Sequence, residues 1–97
     1  MLLRKFSKTA IEHLGSLKEN FCMRDAERIK EIESSTNHDV KAVEYFIKEK
    51  LSHIEELKNS IHFIHFACTS EDINNLAHGL MLKEARERVL TPALREI

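Results

Sequence analysis

Glycine and proline are scarce in this chain: two glycines and one proline among 97 residues leave few turn positions, which argues against a sandwich or barrel. Cysteine is limited to Cys22 and Cys68, far apart and without a secretory context, so both are read as free thiols and a disulfide framework is excluded. No apolar run is long enough to span a bilayer; the longest, from Ile61 to Cys68, is interrupted by His62 and His65. An excess of one charge is missing too. Fifteen basic residues face sixteen acidic ones, for a net charge of −1, and the signs alternate instead of forming blocks, so no nucleic-acid or polybasic membrane surface is expected. Arg4 and Lys5 break the apolar start at Met1-Leu2-Leu3, which removes a secretory signal and makes a cytoplasmic location the expectation. There is no Gly-rich phosphate loop, no nucleophile elbow and no paired-carboxylate motif.

What is present is helical material. Hydrophobic residues make up 42% and charged residues 32%, enough for one small all-α domain with a limited core. Leu3, Phe6, Ala10, Leu14 and Leu17 share one side of an expected helix from Leu2 to Leu17, with Lys5, Lys8, Glu12 and Lys18 away from it and no obvious cap. A shorter helix is expected from Asp25 to Glu33, ending at Ser34-Ser35. Val40, Val43, Phe46, Ile47 and Leu51 then mark a helix with Lys41, Glu44, Lys48 and Glu49 outside. Residues 52–60 read as a connection in which Ile54 and Leu57 could form a short turn. For Ile61 to Cys68 the pattern leaves a strand and a buried helical turn equally open. From Thr69 onward, Ile73, Leu76, Ala77, Leu80, Ala85, Val89, Ala93 and Leu94 describe one long amphipathic helix. Gly79 weakens it by about 1 kcal/mol relative to alanine, and Pro92 predicts a kink near Leu90. A boundary is expected near Cys68/Thr69, dividing residues 1–68 from 69–97. The last helix stops in mid-pattern at Leu94-Arg95-Glu96-Ile97, so its stripe is expected to be buried by self-association or by further chain.

Two polar clusters stand at helix entrances, Thr36-Asn37-His38-Asp39 and Thr69-Ser70-Glu71-Asp72, both spelling Thr-x-x-Asp. Such a pair can form a capping box, the threonine accepting from a backbone N–H and the acid bonding back to the cap. Helix starts also present free N–H groups that favour phosphates or carboxylates. A cap alone implies no ligand. Asn37, His38, Ser70, Asn74 and Asn75 exceed what capping needs, and that surplus is what points to a binding role. Asp39 could hold the His38 imidazole in one tautomer, for anion binding as imidazolium or for proton exchange; the alternative is a surface histidine in a cap. His62, His65 and Cys68 lack a fourth ligand, so no metal is expected, and nothing in the sequence activates Cys68. His13, His53 and His78 read as solvated or helix-packed.

Two segments, Thr36-Asn37-His38-Asp39-Val40-Lys41-Ala42-Val43-Glu44-Tyr45-Phe46 and Phe63-Ile64-His65-Phe66-Ala67-Cys68-Thr69-Ser70-Glu71-Asp72-Ile73-Asn74-Asn75, closely resemble the bacterial-type adenylosuccinate lyase family of the fumarase/aspartase superfamily. The resemblance implies the end of an N-terminal helical domain (1–68) and the start of a central helical-bundle domain (69–97) of a homotetramer. It implies elimination of fumarate from adenylosuccinate to give AMP, and from the succinylated carboxamide ribonucleotide of purine biosynthesis, without metal or cofactor. By matching motif, Asn37, His38 and Asp39 would contact the nucleotide, with His38 near the phosphate or supporting proton transfer, and Thr69 and Ser70 would hold the succinyl carboxylates. The family's general-acid histidine, in a Thr-His-Gly-Gln-Pro segment, and its catalytic serine, in a Ser-Ser-x-Met-Pro loop, do not occur here. The chain is therefore expected to be a fragment that is inactive alone. Alternatives are a non-catalytic helical interaction module or a nucleotide-binding module.

Overall fold

A computed structural model describes residues 6–97, and among them all regular structure is helical, in keeping with the all-α expectation. Helices α1 (Lys8–Glu19), α2 (Met23–Thr36), α3 (Asp39–Leu51) and α4 (Glu55–Lys58) are followed by a 3-10 turn (Ile61–Phe63) and helix α5 (Ser70–Ala85). A π-helical segment (Arg86–Leu90) and helix α6 (Thr91–Arg95) complete the order. The chain divides into two compact units between Phe66 and Ala67.

The first unit is organised by an α2–α3 hairpin. Only Asn37 and His38 separate the helices, and the start of α2 meets the end of α3 through Asp25–Lys50 (2.7 Å) and Arg28–Glu49 (2.7 Å) ion pairs, so the two run antiparallel. Ile32, Ala42 and Phe46 are buried between them, with Ile29 and Ile47 alongside; the fully buried Ala42 has no bulk to hold the helices apart. Phe21 meets the Phe46 ring edge-on at 6.3 Å. A second cluster joins Ala10 of α1 to Leu51 and Leu57, flanked by Leu17, Ile54, Ile61 and Ile64. Ile47 packs against both clusters and makes them one continuous core.

Helix ends depart from the sequence expectation wherever a local cap competes with periodicity. Helix α1 starts at Lys8, because Ser7 is its N-cap and accepts from the Ala10 N–H at 3.1 Å. The Ser7 N–H and hydroxyl in turn donate to the Glu56 carboxylate, tying α1 to α4. The Leu3 and Lys5 positions of the expected helix lie outside the described residues. Helix α2 outruns its expected span at both ends. At its start the Cys22 N–H donates to Asp25 Oδ2 at 3.1 Å, and at its end Asn37 takes a left-handed conformation (φ 52°) that sends its N–H back to Glu33 O. Ser34 and Ser35 do not stop it, since their hydroxyls bond back to the Glu31 and Ile32 carbonyls within the helix.

The undecided segment from Ile61 resolves as a 3-10 turn and further turns. Ile61 and Ile64 face the core, while Phe63 and Phe66 are exposed and meet edge to face at 5.8 Å.

The second unit begins at Ala67, whose left-handed backbone (φ 62°) is an uncommon position for a residue with a side chain. Beyond it lies a rod in which no residue is buried; Leu76, Leu80, Leu82 and Leu94 are all exposed. Near Leu90, where a kink was expected, lies the π-helical segment, in which the Thr91 N–H reaches back five residues to Arg86 O. Pro92 is the physical reason: it has no N–H to give the carbonyl four residues back, and its ring crowds that carbonyl, so the preceding turn widens. Among the described residues no helix is long and apolar enough to cross a membrane.

The first unit should respond sharply to its core and little to its surface. Phe46→Ala is expected to lower the free energy of unfolding by about 3–5 kcal/mol. Met23→Ala, at a side chain 74% exposed, should stay within about 0.5 kcal/mol of the parent. Urea titrations followed by circular dichroism check both.

Candidate functional site

The first cluster forms the corner between α2 and α3, but not as the expected box. Thr36 is still the last residue of α2, and its hydroxyl donates toward Glu33 O (3.5 Å) and His38 O (3.3 Å). A threonine inside a helix cannot also be the extended N-cap of the next one. His38 takes that place with an extended backbone (φ −150°, ψ 117°), and its Nδ1 accepts from the Lys41 N–H at 3.2 Å. Asp39 is the first residue of α3, where its Oδ1 accepts from the Val40 N–H at 2.7 Å and lies 3.5 Å from His38 Nδ1. Asn37, His38 and Asp39 are thus brought side by side, all exposed. Asn37 also borders a depression of about 410 Å³ shared with Lys30, Glu33 and Ser34.

The second cluster matches its expectation. Thr69 is the N-cap of α5; its hydroxyl oxygen accepts from the Asp72 N–H (3.3 Å), while Asp72 Oδ2 accepts from the Thr69 N–H (2.7 Å) and hydroxyl (3.1 Å). Those two donors, the backbone N–H first, hold the Asp72 carboxyl below the usual carboxylate range. Ser70 is the first residue of α5 and is half-buried, as is Asn74, whereas Asn75 is exposed. Glu71 and Asp72 occupy the first turn, so this helix start already carries two carboxylates against its positive dipole end. Asn37, His38 and Asp39 belong to the first unit, and Thr69 and Ser70 to the second.

Sequence periodicity missed one constellation. Glu44 was expected outside α3, yet it is only 6% exposed and sits among three cationic or polar partners. Its carboxylate accepts from Lys41 Nζ (2.8 Å) and Lys48 Nζ (2.5 Å), one turn to either side, and lies 3.0 Å from His65 Nδ1. Both ammonium groups also lie near the Tyr45 ring, at 5.3 and 5.8 Å from its centroid. Hydrogen bonds from Lys41 and then Lys48 hold the Glu44 carboxyl at about 2, while burial pushes the other way and His65 adds a smaller lowering. The Lys41-x-x-Glu44-x-x-x-Lys48 spacing was a legible sign of helical pairing. Nothing in the local pattern pointed to His65, 21 residues away. Among the described residues no three His, Cys, Asp or Glu side chains are grouped to hold a metal ion. Cys22 is exposed, Cys68 is half-buried, and both are free thiols.

Comparison with known proteins gives a consistent picture. A family model described as lyase matches residues 1–97. An adenylosuccinate lyase of Vibrio cholerae is 59% identical over 92 residues, which is 95% of this chain and 20% of that protein. One from Escherichia coli strain K12 is 58% identical with the same coverage, and one from Legionella pneumophila strain Corby is 56% identical over 91% of this chain and 19% of its own length. The chain therefore spans about a fifth of the length of the curated relatives it matches.

The Glu44 cluster makes a pH-dependent contribution whose sign follows from its lowered carboxyl. Stability from this group is complete above its ordinary value of 4.5 and is lost as the pH falls through about 2. Glu44→Gln should be less stable than the parent at pH 7, with the gap narrowing as the pH falls from 4.5 and closing only below about 2, where the parent carboxyl is protonated. Urea midpoints measured across that range test it; a gap independent of pH would sink the assignment.

Proposed function

The chain belongs to the lyase family whose model matches it from residue 1 to residue 97, and we propose that it is a substrate-holding part of an adenylosuccinate lyase. The observation that carries this reading is the identity of 56 to 59% to adenylosuccinate lyases of three bacteria over at least 91% of the chain. In the proposed reaction a proton is lost beside a succinyl carboxylate, the carbon–nitrogen bond breaks, and fumarate leaves AMP; the succinylated carboxamide ribonucleotide is cleaved likewise. Negative charge builds up next to an existing carboxylate. Fixed donors aimed at that charge lower the barrier.

Within this reading Asn37, His38 and Asp39 grip the nucleotide. In the neutral form, with Nδ1 accepting the Lys41 N–H, the His38 ring proton is on Nε2. Thr69 and Ser70 hold the succinyl carboxylates, Thr69 through a cap geometry that fixes the first turn of α5. Because Glu71 and Asp72 oppose an incoming anion there, cationic partners must come from other segments or subunits. The general-acid histidine segment and the serine loop are not among these 97 residues, so the chain alone does not turn over. No metal or organic cofactor takes part. Residues 1–68 are assigned to the end of the N-terminal helical domain and 69–97 to the start of a central bundle that assembles as a cytoplasmic homotetramer. The exposed Leu76, Leu80 and Leu94 favour such an assembly, and equally a non-catalytic interaction module as the second reading.

The 97-residue chain alone should release no fumarate from adenylosuccinate. Mixed with a polypeptide that supplies the rest of a relative, it should restore release, and Asn37→Ala or Ser70→Ala should lower kcat/KM at least about tenfold, equivalent to roughly 1.4 kcal/mol of transition-state stabilisation. Absence of activity in every mixture, together with no calorimetric heat from AMP or adenylosuccinate at millimolar concentration, removes the reading. A dilution-resistant monomer removes the interaction module.

A further inference from the structure

The buried Glu44 carboxylate and the His65 ring form a pair that the proposed reaction leaves unused. His65 Nδ1 lies 3.0 Å from Glu44 Oε2, and its other ring nitrogen, Nε2, is buried with no hydrogen-bond partner among the described residues. These two facts discriminate between the neutral forms of the imidazole. With the proton on Nε2, a buried N–H would go unpaired and a nitrogen lone pair would face a carboxylate lone pair. With the proton on Nδ1, the N–H is donated to Glu44 and only an acceptor is left without a partner, the less costly of the two defects. Lys41 and Lys48 hold the carboxylate from the α3 side, so its position does not depend on His65.

We propose that Glu44 is a positioning residue that locks neutral His65 in the Nδ1–H form, leaving Nε2 as a bare hydrogen-bond acceptor four residues ahead of Thr69. His65 stands in the turn between Phe63 and Phe66, whose Ile61 and Ile64 are seated on the core. The carboxylate therefore fixes both the ring's chemistry and the last turn before the second unit. The locked tautomer does not depend on the lyase reading above.

The test is nitrogen NMR of the 97-residue chain labelled at histidine, at about pH 8.5, where an ordinary imidazole is neutral. The two His65 resonances are expected to show a protonated Nδ1 and an unprotonated Nε2. Glu44→Gln keeps a carbonyl oxygen in place and should preserve that pattern, whereas Glu44→Ala removes the acceptor and should leave the proton shared between the two nitrogens. A parent spectrum with the proton on Nε2 overturns the proposal without any variant, as does a Glu44→Ala spectrum identical to the parent's. A parent that fails this measurement but still completes an active lyase loses the positioning role alone; a locked ring in a chain that neither supports fumarate release in any mixture nor gives calorimetric heat with AMP or adenylosuccinate removes the lyase reading alone.

Discussion

A carboxylate withdrawn from water needs charge and hydrogen bonds around it, and Glu44 obtains both from three side chains on two parts of the chain. Lys41 and Lys48 come from the same helix and would approach it even in isolation. His65 does not. Its presence beside Glu44 obliges the turn after α4 to fold back along α3, which in turn seats Ile61 and Ile64 on the core built by Ala10, Leu51 and Leu57. The polar pair and the apolar cluster thus specify one path for the connection.

The α2–α3 corner shows how little chain is needed to reverse direction. Asn37 ends one helix by turning left-handed and His38 begins the next by lending its ring nitrogen, so each residue serves one terminus. Asparagine tolerates the left-handed region better than most residues, which explains its place in the pair. The same compactness puts three polar side chains of consecutive residues at the surface. The polarity that marks the candidate site is in part the polarity the turn requires.

Much of the helical content was legible because periodicity survives wherever one face is buried. Val40, Phe46 and Leu51 named α3, and Thr69 with Asp72 named the start of α5. Helix ends were less legible. Ser7, Cys22 and His38 cap helices without resembling an expected box, and Thr36 resembled a cap while lying inside α2. The burial of Glu44 was hidden for a different reason: its partner His65 is distant in sequence, and no local spacing reveals a long-range pair. At the site, the Thr69 box could be read directly, whereas the His38 cap depends on a ring nitrogen substituting for a hydroxyl.

The widened turn ahead of Pro92 acts as a vernier on the rod. Successive residues of a regular helix advance by about 100° in azimuth, and a π turn accommodates an extra residue without lengthening the rod by a full step. Everything beyond Arg86–Leu90, including Leu94 and Ile97, is therefore aimed about a quarter-turn away from where an unbroken α-helix would aim it. Loss of one residue in that turn would re-aim the far end while leaving Ile73, Leu76 and Leu80 where they are, so the bearing of one end can drift in evolution independently of the other.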